Sequence, residues 1–306
     1  MGLLPEASCL TCPSGHAFPV INGIPRFVAE SNYADSFGLQ WNHFRRTQLD
    51  SYTKLPISRD RLRRCVGETV WKELPGKLVL ECGCGAGRFT EVLLEHGCSV
   101  MSIDLSNAVD ANAQNCPPGE CHRLAQADIC QLPFEPRQFE LVLCLGVVQH
   151  TPDPERTMRA LYDQVKPGGW IVIDHYTGRL AWYTKMSSLF RVFMKRMPPD
   201  RALALSERLV ERFLPLHKSV RRIPIVRSIA YHLSPVTSYY TVFPDFADSL
   251  HREWALLDTH DSLTDWFKAS RTRAQIKQTF EALGVDAIWC EYGGNGVEAR
   301  GQRPLH

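Results

Sequence analysis

VLECGCGAGRFTE, residues 79–91, decides how this chain reads. Two cysteines, Cys82 and Cys84, alternate with three glycines, Gly83, Gly85 and Gly87. A C-x-C pair supplies two soft metal ligands where a closed zinc site wants four, and no second pair stands nearby. The other reading is a glycine loop joining a strand that ends at Glu81 to an amphipathic helix that starts near Arg88. Such a loop places backbone N–H groups at a helix N-terminus and lets a ligand approach the backbone closely. A dinucleotide-binding G-x-G-x-x-G would need glycine at position 88, where Arg88 stands. What remains is E-x-G-x-G-x-G, with the cysteines as small residues filling space around it.

Outward from the loop, short apolar runs alternate with helical patterns. KLVLEC (77–82), RFTEVLLEHG (88–97), CSVMSID (98–104) and SNAVDANAQN (106–115) are followed by HRLAQAD (122–128), FELVLCLG (139–146), PERTMRALYDQV (154–165) and GWIVIDHY (169–176). Strand and helix alternating over short connections predict an α/β fold with a parallel sheet covered on both faces. Lys166-Pro167-Gly168-Gly169 reads as a helix stop and a turn into the next strand. Beyond Tyr176 the period changes. Residues 178–270 carry amphipathic helical stretches broken by prolines, with Trp182, Met186, Leu189, Phe190, Phe193, Met194 and Met197 at helical spacing. A helix and two strands joined by Gly293-Gly294 then resume the core pattern. The chain divides into a small cysteine-containing module (1–31), a pre-core helical segment (32–76), the core (77–177), a helical cap (178–270) and a C-terminal completion of the core (271–306).

With 306 residues, 44% hydrophobic and 22% charged, the chain has the composition of a soluble globular protein. No apolar run is long enough to span a bilayer, and MGLLPEAS lacks the layout of a signal peptide, so a cytoplasmic location is expected. Eleven irregularly spaced cysteines, several within strand-like runs, fit reduced thiols better than a disulfide framework. The net charge of +2 hides an asymmetry: Arg179 to Arg227 holds 12 Lys or Arg against 3 acids, which leaves −7 for the remainder.

The loop and the elements after it resemble the first and later motifs of class I S-adenosylmethionine-dependent methyltransferases, over about 77–176 with 271–301 completing the core. The resemblance implies a Rossmann-like sheet of seven strands, mostly parallel, with an antiparallel C-terminal hairpin. It implies S-adenosylmethionine as cofactor, with Glu81 at the methionine amino group and Gly83, Gly85 and Gly87 shaping the loop. Asp104, followed by Leu105, would hold the ribose hydroxyls; Asp128 and Ile129 would lie near the adenine; Leu145 and Gly146 would flank the cofactor. Residues 33–50, with Trp41 and Gln48, resemble a pre-core helix that closes over the cofactor in related small-molecule methyltransferases; an ordinary packing helix is the other reading. The order SFGLQW, core, VEARGQRP is similar to bacterial methyltransferases of secondary-metabolite or glycan pathways.

Methyl transfer from a sulfonium needs alignment, exclusion of water and, for a hydroxyl acceptor, a base. His150, His175 and Tyr176 follow strands four and five, where strand ends open on the ligand crevice, and are the candidates. His150 reads equally as a residue that orients its loop. LGVVQH (145–150) lacks the [DN]-P-P-[YF] of enzymes acting on planar amino groups, and Gly146 and Gln149 stand where a metal-using E-x-x-E-H type has acids. Cys9, Cys12 and His16 resemble half of a zinc-ribbon-like module; they form either a zinc site one ligand short or a metal-free turn. His260 and Asp261 face either the acceptor or solvent. The expected partner is a small-molecule acceptor, anionic or amphipathic, attacked through oxygen or nitrogen, with nucleic acid disfavoured and the oligomeric state open. The basic cap is read as substrate enclosure, a membrane-resting surface or a solvated helix face. The rival functions are an RNA or protein methyltransferase and a non-catalytic partner subunit.

Overall fold

The computed structural model describes residues 9–12, 14–29, 32–178 and 185–305; Trp182 of the expected apolar stripe lies outside them. Three short strands, β1 (Cys9–Thr11), β2 (Ala17–Ile21) and β3 (Ile24–Pro25), form a small antiparallel sheet. It docks on the core at Gln126, whose carbonyl accepts the Phe27 N–H at 2.8 Å. Four short helices follow: α1 (Asp35–His43), α2 (Asp50–Thr53), α3 (Ile57–Val66) and α4 (Glu68–Glu73).

The core is a seven-stranded sheet. Its strands are β4 (Leu78–Cys82), β5 (Ser99–Asp104), β6 (His122–Gln126), β7 (Phe139–Cys144), β8 (Val165–His175), β9 (Asp286–Gly293) and β10 (Gly296–Gln302). In space they run β6-β5-β4-β7-β8-β10-β9, with every pair up to β8 parallel and β10 antiparallel to both neighbours. The crossovers are α5 (Arg88–Glu95), α6 (Val109–Asn115) and α7 (Pro154–Gln164). Leu141, Val142 and Leu143 of β7 are all fully buried, and so are Ile171, Val172 and Ile173 of β8. Consecutive burial of this kind means both faces of the sheet are covered, the arrangement that removes alternation from a parallel strand.

The chain winds outward from β4 to β6 and then returns to place β7 on the other side of β4. Strand order therefore reverses between β4 and β7, and a crevice opens at their carboxyl ends. One sequence expectation changes here. Val165 already pairs with Phe139, and Trp170 with Leu141, so Lys166–Gly169 is a bulge inside β8 and not a turn before it. The Gly168 N–H reaches the Arg303 carbonyl at 3.0 Å and Arg303 N–H returns to Gly169 at 2.8 Å, so the bulge keeps its backbone bonds through the C-terminal strand.

The regular structure of the cap's described part is all helical: α8 (Met186–Met194), α9 (Pro199–Val220), α10 (Pro224–Leu233) and α11 (Asp248–Thr264), with an irregular stretch over 234–247. It has a core of its own, in which Met194, Leu203, Val210, Val236, Leu256 and Leu263 close on Phe44 just after α1. Helix α12 (Arg273–Ala282), opened by a Thr272–Gln275 capping box, then leads into β9.

Candidate active site

The crevice between β4 and β7 widens into a cavity of about 1250 Å³ closed by the pre-core helices and the cap. Its floor begins at the glycine loop. Gly83, at φ +75°, stands where an added Cβ would lie 2.2 Å from Val147 Cγ2, so the loop after β4 and the turn after β7 approach more closely than a side chain allows. Gly85, at φ +50°, lies against the Trp41 indole, with 3.3 Å between that ring and a notional Cβ. Gly87 caps α5 and does not line the cavity.

Asp104, at the end of β5, accepts the Gly85 N–H at 2.9 Å and the Ser106 N–H and hydroxyl at 2.8 and 2.7 Å. Burial pushes its carboxyl above the ordinary value, and these donors oppose the shift. Asp104, Leu105, Asp128, Ile129, Leu145 and Gly146 all line the cavity. Asp128 accepts the Cys130 N–H at 2.8 Å and so fixes the turn after β6. Cys82 and Cys84 are buried thiols, held well above their ordinary pKa chiefly by burial.

The resemblance set Glu81 at the methionine amino group of the cofactor. The residue lies beneath the loop and does not line the cavity. On β4 its side chain turns to the face covered by α5, where Oε2 accepts the Thr90 and Ser102 hydroxyls at 2.6 and 2.9 Å. Burial pushes the carboxyl up to about 7. Oε1 has no hydrogen-bond partner among the described residues.

His150 and Tyr176 come together: their rings lie 5.2 Å apart, edge to face, and both line the cavity. His150 Nδ1 is 3.1 Å from the Phe267 carbonyl and 3.5 Å from Asp265 Oδ2. A carbonyl can only accept, so that bond assigns the proton to Nδ1 and leaves Nε2 as an acceptor. Burial lowers the His150 pKa, the Asp265 charge opposes this, and Lys268 adds to it. The Tyr176 hydroxyl is held well above its ordinary value by burial and by Asp261, so it stays protonated. His175 is separated from this pair. It is fully buried off the cavity, with Nδ1 2.9 Å from the Tyr176 carbonyl. Successive residues leaving a strand point to opposite faces, and this puts Asp174 and Tyr176 on one side and His175 on the other.

Several groups in the lining or directly behind it escaped the sequence reading. Asp174 is fully buried; it accepts the Gly146 N–H at 2.6 Å and pairs with Arg61 of α3. A carboxylate inside an apolar strand run was the available signal. Arg88, which excluded the dinucleotide loop, donates to Ser58 Oγ and Gln48 Oε1, each at 2.9 Å, and burial pulls it down to about 10. From α11, Trp254, Leu257, Asp258, Asp261 and Ser262 share one helix face and form the roof; of these the sequence reading had singled out Asp261 alone, as facing either the acceptor or solvent. Burial pushes Asp258, which takes the Tyr239 hydroxyl, up to about 6. Asp261 rises to about 7 through burial and the Asp265 charge. His260 belongs to neither face that the sequence offered; it is buried inside the cap, 3.3 Å from Ser206 Oγ.

In the N-terminal module, Cys12 Sγ lies 3.4 Å from His16 Nδ1, a contact that lowers the thiol pKa, while Cys9 Sγ donates to the Leu10 carbonyl. Among the described residues no group of three His, Cys, Asp or Glu side chains gathers to hold a metal. Cys9, Cys12 and His16 therefore do not converge as zinc ligands, and the zinc expectation finds no support.

Sheet order, glycine loop and strand-end acids together define a class I S-adenosylmethionine-dependent methyltransferase domain. Residues 80–173 match the family described as "Methyltransferase domain". About a third of the chain is similar to two proteins named "Ubiquinone biosynthesis O-methyltransferase". The one from Pseudomonas fluorescens (strain SBW25) is 40% identical over 101 residues, covering 32% of this chain and 44% of that protein. The one from Pseudomonas putida (strain GB-1) is 38% identical over 107 residues, with the same coverages of 32% and 44%. The chain thus matches less than half the length of these relatives. Among solved structures, a putative S-adenosyl-L-methionine-dependent methyltransferase from Methanococcus maripaludis has a TM-score of 0.48 at 13% identity, covering 90% of this chain and 96% of that one. One from Mesorhizobium loti has a TM-score of 0.45 at 17% identity, covering 80% and 96%. Superpositions this loose say nothing of the acceptor.

Proposed function

We infer that this chain transfers the methyl group of S-adenosylmethionine to an oxygen of a small-molecule acceptor enclosed beneath the cap. The observation that carries this reading is one cavity with two dissimilar walls. Strand-end acids and loop glycines form one wall, and His150, Tyr176 and the α11 carboxyls form the other. A volume of about 1250 Å³ exceeds the roughly 300–1,000 Å³ of an ordinary ligand site, which leaves room for donor and acceptor together.

The residues present fit the donor. Asp104, already fixed by the Gly85 and Ser106 N–H groups, is placed to accept ribose hydroxyls. Asp128 and Ile129 border the space for a base beside β6, and Gly83 and Gly146 let a ligand lie against the backbone. When bound, S-adenosylmethionine supplies an electrophilic methyl on a sulfonium. The chain's own part is to orient, to exclude water and to move one proton. His150, neutral and with Nε2 as acceptor, takes the proton of the acceptor hydroxyl. Asp265 holds the Nδ1 side of the ring and stabilises the imidazolium that results. Tyr176 donates from its protonated hydroxyl. Oxygen is preferred to nitrogen because the similar Pseudomonas proteins carry an O-methyltransferase name.

Calorimetric titration of S-adenosylmethionine into wild type and Asp104→Ala tests the donor site. Loss of hydrogen bonds to a charged group predicts an affinity lower by about 10- to 100-fold. Equal affinity for both proteins would sink this placement of the ribose site.

A further inference from the structure

Helix α10 buries almost nothing. Of its ten residues only Ala230 is buried, while Ile225, Ile229 and Leu233 are 76%, 54% and 61% exposed. These three, with Val226, occupy positions i, i+1, i+4 and i+8, a continuous apolar stripe turned to the outside. Helix α8 repeats the pattern with Phe193, 65% exposed, beside Leu189 and Val192. Lys185 Nζ sits 3.5 Å from the centre of the Tyr231 ring, which ties the start of α8 to α10. Both residues also line the cavity, so the start of α8 and α10 border it.

The charge around this apolar surface has one sign. Residues 186–233 hold ten Lys or Arg against three acids. Arg196, Arg222 and Arg227 are exposed, and among the described residues none of them pairs with a carboxylate. Three occupants could cover such a face, and they differ in what they ask of it. A second copy of the chain would bring the same positive charge against it. RNA would satisfy the arginines but leave the isoleucines in water. An anionic lipid surface satisfies both, with headgroups for the arginines and an apolar layer for the stripe.

We propose that α8 and α10 dock the cap peripherally on an anionic membrane surface, with Ile225, Ile229, Leu233 and Phe193 inserted below the headgroups. No helix among the described residues is long and apolar enough to cross a membrane, which fits a surface-lying mode. Docking in this orientation sets two elements that border the cavity against the lipid, which suits an amphipathic acceptor. The docking stands apart from the methyl-transfer reading: vesicle binding by a protein indifferent to S-adenosylmethionine would keep one and remove the other.

The test is co-sedimentation of the full chain with vesicles of phosphatidylcholine alone or mixed with phosphatidylglycerol. Binding is expected to the mixed vesicles, to weaken steeply with salt and to be slight with phosphatidylcholine. Ile225→Asp/Ile229→Asp should weaken it about tenfold or more while leaving the melting temperature unchanged, because both side chains are outside the core. Arg222→Glu/Arg227→Glu should weaken it and flatten the salt dependence. The proposal is overturned by absence of sedimentation with anionic vesicles at low salt, or by equal binding of the Ile225→Asp/Ile229→Asp variant. It is also overturned if that variant instead abolishes a wild-type dimer seen by sedimentation velocity, or if wild type binds polyuridylate as tightly as vesicles.

Discussion

The two walls of the cavity hold their polar groups by different means. On the sheet side Asp104 is gripped by the backbone N–H groups of Gly85 and Ser106, and Asp174, behind the lining, by that of Gly146. On the cap side Asp258 and Asp261 sit with carboxyls raised to about 6 and 7, and Asp265 is shared among His150, Arg191 and Lys268. Backbone donors on a sheet are rigid and suit a ligand that must always be held the same way. Side chains with displaced pKa values are costly to keep in place and suit proton movement. The contrast fits the proposed division, with donor binding at the wall of strand-end acids and glycines and acceptor chemistry where His150 and Tyr176 meet the cap, and substitutions on each side can break it.

The largest separation is expected at His150. His150→Ala should lower kcat by about 10²- to 10⁴-fold, the usual worth of a general base, while leaving the affinity for S-adenosylmethionine unchanged. S-adenosylhomocysteine release with acceptor present measures the first and calorimetry the second. Because the base must be neutral and burial lowers its pKa, the acid limb of kcat/KM should lie below the ordinary histidine value of about 6.5. An acid limb above that value, or an equal loss of donor affinity, would return His150 to the role of a loop residue.

Gly83→Ala probes the other wall. A Cβ there meets Val147 at 2.2 Å, and the residue holds φ +75°. Left-handed backbone costs roughly 1–2 kcal/mol for a non-glycine residue, and the contact adds to this. The melting temperature should fall by several degrees, and donor affinity should fall with it. A variant that loses stability but binds the donor as well as wild type would show that the loop does not shape the donor site.

How far each wall was legible follows from the same contrast. Sheet-side groups recur at strand ends, so glycine spacing and the acid closing β5 marked them from sequence. The orientation of Glu81 was not legible because a motif gives order along the chain, and only the pairing of Thr90 and Ser102 with its carboxyl shows which way it turns. The cap side was obscure for a different reason. Helix α11 is covered on both sides: Ala255, Leu256 and Leu263 enter the cap core, while Trp254, Asp258 and Asp261 roof the cavity. A helix exposed only near its start, at Asp248, Ser249 and Arg252, shows little amphipathic contrast, so its functional stripe did not stand out. His175 and Tyr176 were grouped by position, although strand alternation was enough to separate them.

Asp261→Asn should change stability in a pH-dependent way. An aspartyl group near 3.9 in the unfolded chain and about 7 in the folded one keeps its proton on folding. Its stabilising effect is complete below about pH 4 and is lost as pH rises through about 7. Asparagine removes that loss, so the variant should melt a few degrees above wild type at pH 8 and match it at pH 4. A variant less stable at pH 8 would mean that Asp261 is ionised and well paired in the fold, against the reading of the cap wall.

The smallest effect returns to the cysteines of the loop. Cys82 is 1% exposed and packs among Leu80, Ile103 and Cys144, without a place in the cavity lining. Cys82→Ala removes one buried sulfur from a close-packed region, which costs on the order of 1 kcal/mol. Donor affinity should stay within about twofold, because Gly83 and Gly85 keep their backbone course. Thermal melting and calorimetry on one preparation separate the two quantities. If affinity fell tenfold while stability held, the sheet wall would owe its grip to the thiol, and the division between a backbone-held donor site and a side-chain-driven acceptor site would lose its sheet half.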